Sequence, residues 1–196
     1  MDFTTATIAS ALLEPRATMA PNTRGTIVRT LVKFGAPALA FARERGIRIV
    51  ALTRAEPYSE ASPALRRLGI DVDRWPAPPA GLFVVEERSM YLRSRSAMTV
   101  AHEFGHALDC ALGGGVYRSS VDPELRRLFA AASTFVTPYA ATALDEYFAE
   151  SMRAYVEAND ARSFWPRATR ERLQRIDPHM FAYVARLFEN GFQAAA

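Results

Sequence analysis

Two of the chain's three histidines stand four residues apart in the run His102-Glu103-Phe104-Gly105-His106. On a helix, at about 100° per residue, His102, His106, Asp109 and Gly113 share one narrow face. Val100, Phe104, Leu108, Ala111 and Leu112 turn the other way, toward a core. Histidines one turn apart can point imidazole nitrogens at one divalent ion. Glu103 then falls at the flank of that ion, where a carboxylate can take a proton from water. Thr99 and Val100 precede the run, Ala107 and Leu108 follow it, and no charge but Glu103 interrupts it. The plain alternative is an ordinary helix with two satisfied histidines.

A hydrolytic zinc site needs a third protein ligand and an open position. Position 112, where a metzincin carries its third histidine, is Leu112, and position 109, where that motif has glycine, is Asp109, so the metzincin pattern fails. Two sources remain. Asp109 shares the histidine face and would orient a ligand or cap the helix end. The run Leu144-Asp145-Glu146-Tyr147-Phe148-Ala149-Glu150 offers the other. There Leu144, Phe148, Met152 and Tyr155 form an apolar stripe, and Glu146, Glu150, Arg153 and Glu157 lie opposite. One reading puts Glu146 on the zinc and Glu150 behind it, holding a histidine N–H. The other is a solvated acidic face.

The elements that must position these groups are legible in part. Residues 1–25 are rich in Thr, Ala and Pro without a sustained period and read as a weakly ordered lead-in, leaving 26–196 as one domain. Residues 27–34 are apolar and partly β-branched. Residues 37–45 read as a short helix stopped by Gly46, and 47–52 as a strand. Ser62 and Pro63 open a helix that Gly69 closes. The Pro-rich stretch 75–81 is a hinge or a stiff loop. Residues 82–85 and 90–92 flank a polar run, as in a β-hairpin, and the first of these strands could receive a substrate strand by main-chain pairing. From Ser96 the chain is helical: one helix to about Leu112 ended by Gly113-Gly114-Gly115, one from Asp122-Pro123, one over about 141–158, and two more from Thr169 and Pro178.

Composition narrows the class. With 196 residues, 49% of them hydrophobic, the chain can bury one core. No apolar run reaches the roughly eighteen residues a membrane span needs. Cys110 stands alone, so no intrachain disulfide forms, and it reads as a small buried hydrophobe. The net charge is +3, but the basic residues are scattered without interleaved aromatics, so no nucleic-acid partner is expected. Lys33 is the one lysine among 24 basic residues, which fits a GC-rich genome or avoidance of ubiquitination in a host cell. Synthesis in the cytoplasm without a recognisable signal peptide is expected, with export or delivery to a host cell left open.

The run from His102 to Asp109, followed by Glu146-Tyr147-Phe148-Ala149-Glu150, resembles the catalytic domain of the anthrax lethal factor and its relatives, the Pro-Pro endopeptidases included. The resemblance covers roughly residues 82–190. It implies an α+β, zincin-like metallopeptidase domain: a small mixed sheet or hairpin, an active-site helix and a mainly helical C-terminal half. It implies zinc held by His102, His106 and Glu146, with Glu103 as general base. Tyr139, shortly before that glutamate, would assist by donating a hydrogen bond to the developing oxyanion. The implied activity is endopeptidase cleavage of a protein or peptide substrate, with a role as a toxin or effector. Two alternatives stand beside it. A cytosolic regulatory metalloprotease would carry the same motif beside a DNA-responsive module, yet no helix-turn-helix is evident. A non-catalytic zinc-bearing binding module would need four closed ligands and no base, against which Glu103 speaks. His179, after Asp177-Pro178, reads either as a distal oxyanion donor or as a structural helix start. Nothing in the sequence gives the oligomeric state.

Overall fold

The computed structural model describes residues 2–16, 21–163, 167–190 and 192. Strands β1 (Arg48–Ala51), β2 (Gly81–Val84) and β3 (Ser89–Leu92) form a mixed sheet in the order β1-β3-β2. β1 runs parallel to β3 and β2 antiparallel to it, with Leu82 opposite Tyr91. Strand alternation divides the side chains between two cores. Ile49, Ala51, Phe83, Met90 and Leu92 join the main core, while Val50, Leu52, Val84 and Tyr91 join a smaller one. The smaller core is roofed by helices α4 (Tyr58–Ala61) and α5 (Pro63–Leu68). These supply the crossover that a parallel pair requires. The edge of β1 is occupied, because the Ile49 amide donates to Leu12 and the Glu14 amide to Ile49. β2 is the other edge strand.

The main core is helical. Helices α1 (Phe3–Ala11), α2 (Pro21–Leu31) and α3 (Gly35–Glu44) precede the sheet. Helix α6 (Ala97–Leu112) follows it, with Ser96 accepting from the Thr99 amide at 3.1 Å as N-cap. Then come α7 (Arg118–Val121), α8 (Pro123–Ala131), α9 (Leu144–Tyr155), α10 (Arg170–Ile176) and α11 (Pro178–Glu189). α6 packs against α9, and Phe104 meets Phe34 edge-on at 4.8 Å between ring centres. Asp177 caps α11 through the Met180 amide and also accepts from the Tyr147 hydroxyl, which ties α9 to α11.

Most of the expected boundaries agree within a residue or three. The Ser62 cap, Pro63 start and Gly69 stop of α5 are as read, and so are the hairpin, α6, and the starts of α8, α10 and α11. The lead-in differs. Among its described residues, α1 is a full helix capped by Asp2, and the second helix begins at Pro21. Threonine and alanine on all sides of α1 leave no apolar stripe to read. It is anchored instead by Ala9, Leu12 and Leu13, all buried. Residues 27–34, despite their β-branched content, complete α2 and one 3₁₀ turn, because Ile27 and Leu31 bury one helical turn apart. The short α7 was not anticipated.

Candidate metal centre

Helix α6 points His102 and His106 to the same side, with their Nε2 atoms 3.2 Å apart. Helix α9 brings Glu146 across from its first turn. Its Oε2 lies 3.1 Å from Nε2 of His102 and 3.4 Å from Nε2 of His106. Among the described residues these three form the group able to share one ion. Glu146 Oε2 is buried yet meets hydrogen-bond geometry with neither ring.

Three atoms that carry lone pairs thus face one point. His102 Nδ1 lies 3.0 Å from the Glu150 carboxylate. An ionised carboxylate only accepts, so Nδ1 carries a proton, and Nε2 offers a lone pair once its own proton has left. A tetrahedral ion with metal–ligand distances of about 2.0–2.1 Å sets its ligand atoms roughly 3.3–3.4 Å apart. The observed edges of 3.1, 3.2 and 3.4 Å match that spacing. The donor set, two imidazoles and one carboxylate, suits zinc and leaves a fourth position free.

Behind the cluster, Glu150 is buried and fully engaged. It holds His102, accepts from the Thr137 hydroxyl at 2.6 Å, and receives two hydrogen bonds from Arg153 at 2.8 and 2.7 Å. Burial alone would raise its pKa, but His102 and Arg153 hold it well below the usual carboxylate range. Burial opposes ionisation of Glu146 too, yet the two histidines bring it down to about 2. Burial also disfavours charge on His102, but the contacts with Glu146 and Glu150 outweigh it and lift the imidazole to about 10. In the metal-free chain a proton therefore competes for this place, and binding of a cation releases it.

Glu103 lies beside the cluster, buried, with its pKa raised by burial. The Phe83 backbone in β2 stands near enough to its carboxylate to work against that rise. The strand register explains this contact. The Ala80 carbonyl accepts from the Arg93 amide, so by the alternation of an antiparallel pair Leu82 and Val84 are the hydrogen-bonded positions and the peptide edges of Gly81 and Phe83 turn away from β3. The approach is close enough that a side chain at Gly81 would have to push its neighbours aside. A Cβ there would lie 2.6 Å from Glu103 Cγ and 2.8 Å from Thr99 Cγ2. A cavity of about 290 Å³ opens on this side, bounded by Ala80, Gly81, Met98, Thr99, His102 and Tyr139.

Tyr139 reaches the site from a 3₁₀ turn, and its hydroxyl donates to Glu146 Oε1 at 3.0 Å. Its ring is 5.4 Å from that of His102. Of the other candidates, His179 is exposed in the first turn of α11 and Cys110 is buried in the core. Asp109 lies outside the three-residue group. It is fully buried, accepting from the Ser119 amide at 2.8 Å and the Ser119 hydroxyl at 2.6 Å, so it fastens α7 to α6. Sequence reasoning missed Thr137, the Phe83 backbone and Gly81, and it gave Arg153 no role beyond sharing a face with Glu146 and Glu150. The spacing of Arg153, three residues after Glu150, was the one available signal.

Asp109 carries a pH signature. Burial pushes its carboxyl up to about 7, against the lowering effect of its bonds to Ser119. In the unfolded chain an aspartate titrates near 3.9. Below that value the group is protonated in both states and costs nothing. As pH rises toward 7 the unfolded state loses its proton first, and stability falls. Asparagine can accept from the Ser119 amide and donate to its hydroxyl. Asp109→Asn is therefore expected to match the native chain at pH 4 and to melt above it at pH 8. Paired thermal unfolding curves at the two pH values measure this, and a difference that does not grow with pH would contradict it.

On this α+β fold, a helix carrying two histidines and a flanking glutamate is faced by a glutamate helix and an edge strand. Among solved structures the chain is similar to that of the Pro-Pro endopeptidase PPEP-2 from Paenibacillus alvei. The TM-score is 0.65 at 22% identity, covering 92% of this chain and 99% of that one. No family model matches the sequence, and no curated protein matches it.

Proposed function

We propose that the chain is a zinc-dependent endopeptidase in which His102, His106 and Glu146 hold the metal. The observation that carries this reading is the convergence of three lone-pair atoms at edges of 3.1–3.4 Å, with Glu103 alongside. A bound zinc ion supplies Lewis acidity, polarising a carbonyl oxygen and making water acidic near neutral pH. Glu103, packed against Gly81, takes a proton from the attacking water and passes it to the leaving amine. Tyr139 exchanges its bond to Glu146 for one to the developing oxyanion. The outward edge of β2 pairs with the peptide backbone beside Glu103.

PPEP-2 is a Pro-Pro endopeptidase, and peptides containing a Pro-Pro bond are the first substrates to offer this chain. Incubating the zinc-loaded chain with such peptides and with a mixed library, and reading the products by mass spectrometry, tests the reading. Cleavage that stops with a chelator and returns with zinc is expected. Intact peptides throughout, with zinc bound, would turn the site into a binding module. A toxin or effector role rests on the family resemblance and on the single lysine, and a substrate found inside the producing cell would remove it.

Gly81 supplies a sharper check on the base. The atoms that a Cβ at Gly81 would strike belong to the Glu103 and Thr99 side chains, which can rotate away. Gly81→Ala should therefore leave zinc content unchanged while displacing the Glu103 carboxylate. Turnover is expected to fall by about 10²-fold, the effect of a misplacement near 1 Å. Equal turnover in both chains would show that this contact does not position the base.

A further inference from the structure

Arg153 is among the largest side chains fully withdrawn from solvent, at 1% exposure, and it stands two turns beyond Glu146 on α9. An arginine is rarely buried this deeply without a specific set of acceptors. Here each acceptor is identifiable. Nε donates to Glu150 Oε1 at 2.8 Å and one terminal nitrogen donates to Oε2 at 2.7 Å, a two-pronged grip on one carboxylate. The other terminal nitrogen donates to the Ala158 carbonyl and to Asn159 Oδ1, both at 3.2 Å. Asn159 is fixed in turn, accepting from the Ala168 amide at 3.0 Å and donating to its carbonyl at 2.7 Å. Asp160 then accepts from the Met98 amide in the first turn of α6.

The chain of contacts therefore begins at the turn that ends α9 and finishes at the imidazole of His102. We infer that Arg153 is a positioning residue for the metal centre. Its planar fork fixes the plane of the Glu150 carboxylate, and that carboxylate fixes which nitrogen of His102 carries the proton and where Nε2 points. A carboxylate held by Thr137 alone could rotate about its last bond, because one hydroxyl does not define a plane. The fork defines it, and lysine, a point charge with no fork, cannot reproduce it. This goes beyond the three ligands and the base but rests on the zinc reading given above.

The test is the zinc dissociation constant, by chelator competition, of the native chain, Arg153→Lys and Glu150→Gln, with Leu125→Ala as a control. Leu125 is buried in α8, away from the site, so its truncation lowers stability without touching the centre. Loss of a partner behind a metal-ligating histidine costs about 10–100-fold in metal affinity. Arg153→Lys is expected to lose that much, Leu125→Ala nothing, and the double variant Arg153→Lys/Glu150→Gln no more than Glu150→Gln alone. Histidine ¹⁵N resonances supply a second readout. In the native metal-free chain at high pH, Nδ1 of His102 holds the proton, and in Arg153→Lys the proton divides between the two nitrogens. Should Arg153→Lys fail to fold, Asn159→Ala loosens the same guanidinium from its far end and is expected to show a smaller, several-fold loss. Native zinc affinity and an unchanged His102 signal in Arg153→Lys, or in Asn159→Ala where that variant stands in, would overturn this inference alone. A native chain that binds no zinc would overturn the zinc reading and this inference with it.

Discussion

The Glu103→Gln chain is expected to bind zinc as the native chain does and to cleave peptides about 10²–10⁴ times more slowly, the contribution of a general base. Glutamine keeps the shape of the side chain, so packing at this buried position is preserved. What it cannot do is take a proton. The three groups proposed to hold the metal are untouched, and metal content therefore separates loss of the base from loss of the centre. Metal analysis beside turnover numbers for both chains gives the result. A Glu103→Gln chain that cleaves at the native rate would mean that another group carries the proton.

Gly105→Ala is expected to damage the centre more than it damages the fold. A Cβ at Gly105 would stand 2.8 Å from Ala149 Cα and 3.1 Å from its carbonyl oxygen, and these are backbone atoms that cannot rotate away. α9 must then withdraw from α6 by about half an ångström or more to restore ordinary contact. Overpacking of this kind costs about 1–3 kcal/mol. Alanine returns roughly 1 kcal/mol through its better helix propensity, so the net change in stability is modest. Zinc sites tolerate only about 0.2 Å in ligand distance. Glu146 lies one turn from Ala149 on the helix that moves, while His102 and His106 stay on α6. Zinc affinity is therefore expected to drop at least about tenfold, with turnover following it. Chelator competition and thermal unfolding on the same preparation compare the two effects. A large loss of thermal stability with native zinc affinity would reverse this ranking.

How much of this was legible in the sequence follows from what each residue had to signal. α6 announces itself through Ser96 at its cap, Gly113 past its end and an apolar stripe between them. The hairpin shows because its polar turn separates two short apolar runs. α9 shows as a helix, but its polar face does not reveal its surroundings. Periodicity marks Glu146, Glu150 and Arg153 as sharing a side. It cannot say whether that side meets water or the histidines of another helix, since an ion pair and two imidazoles satisfy them as well as solvent does. Close approach is invisible for a related reason. Gly81 ends a Pro-rich stretch and reads as a turn residue, whereas its value lies in the Glu103 and Thr99 atoms that stand where a Cβ would be. The N-terminal helices escape because small residues can bury without forming a stripe.

The central claim is that three side chains from two helices hold one zinc ion. Its most direct test is the metal content of the native chain after dialysis against buffered zinc, beside that of His106→Ala and Glu146→Ala. One zinc per native chain, and well under one in either variant at the same free zinc concentration, is the result predicted. A native chain without zinc, or full retention after loss of either side chain, would contradict it.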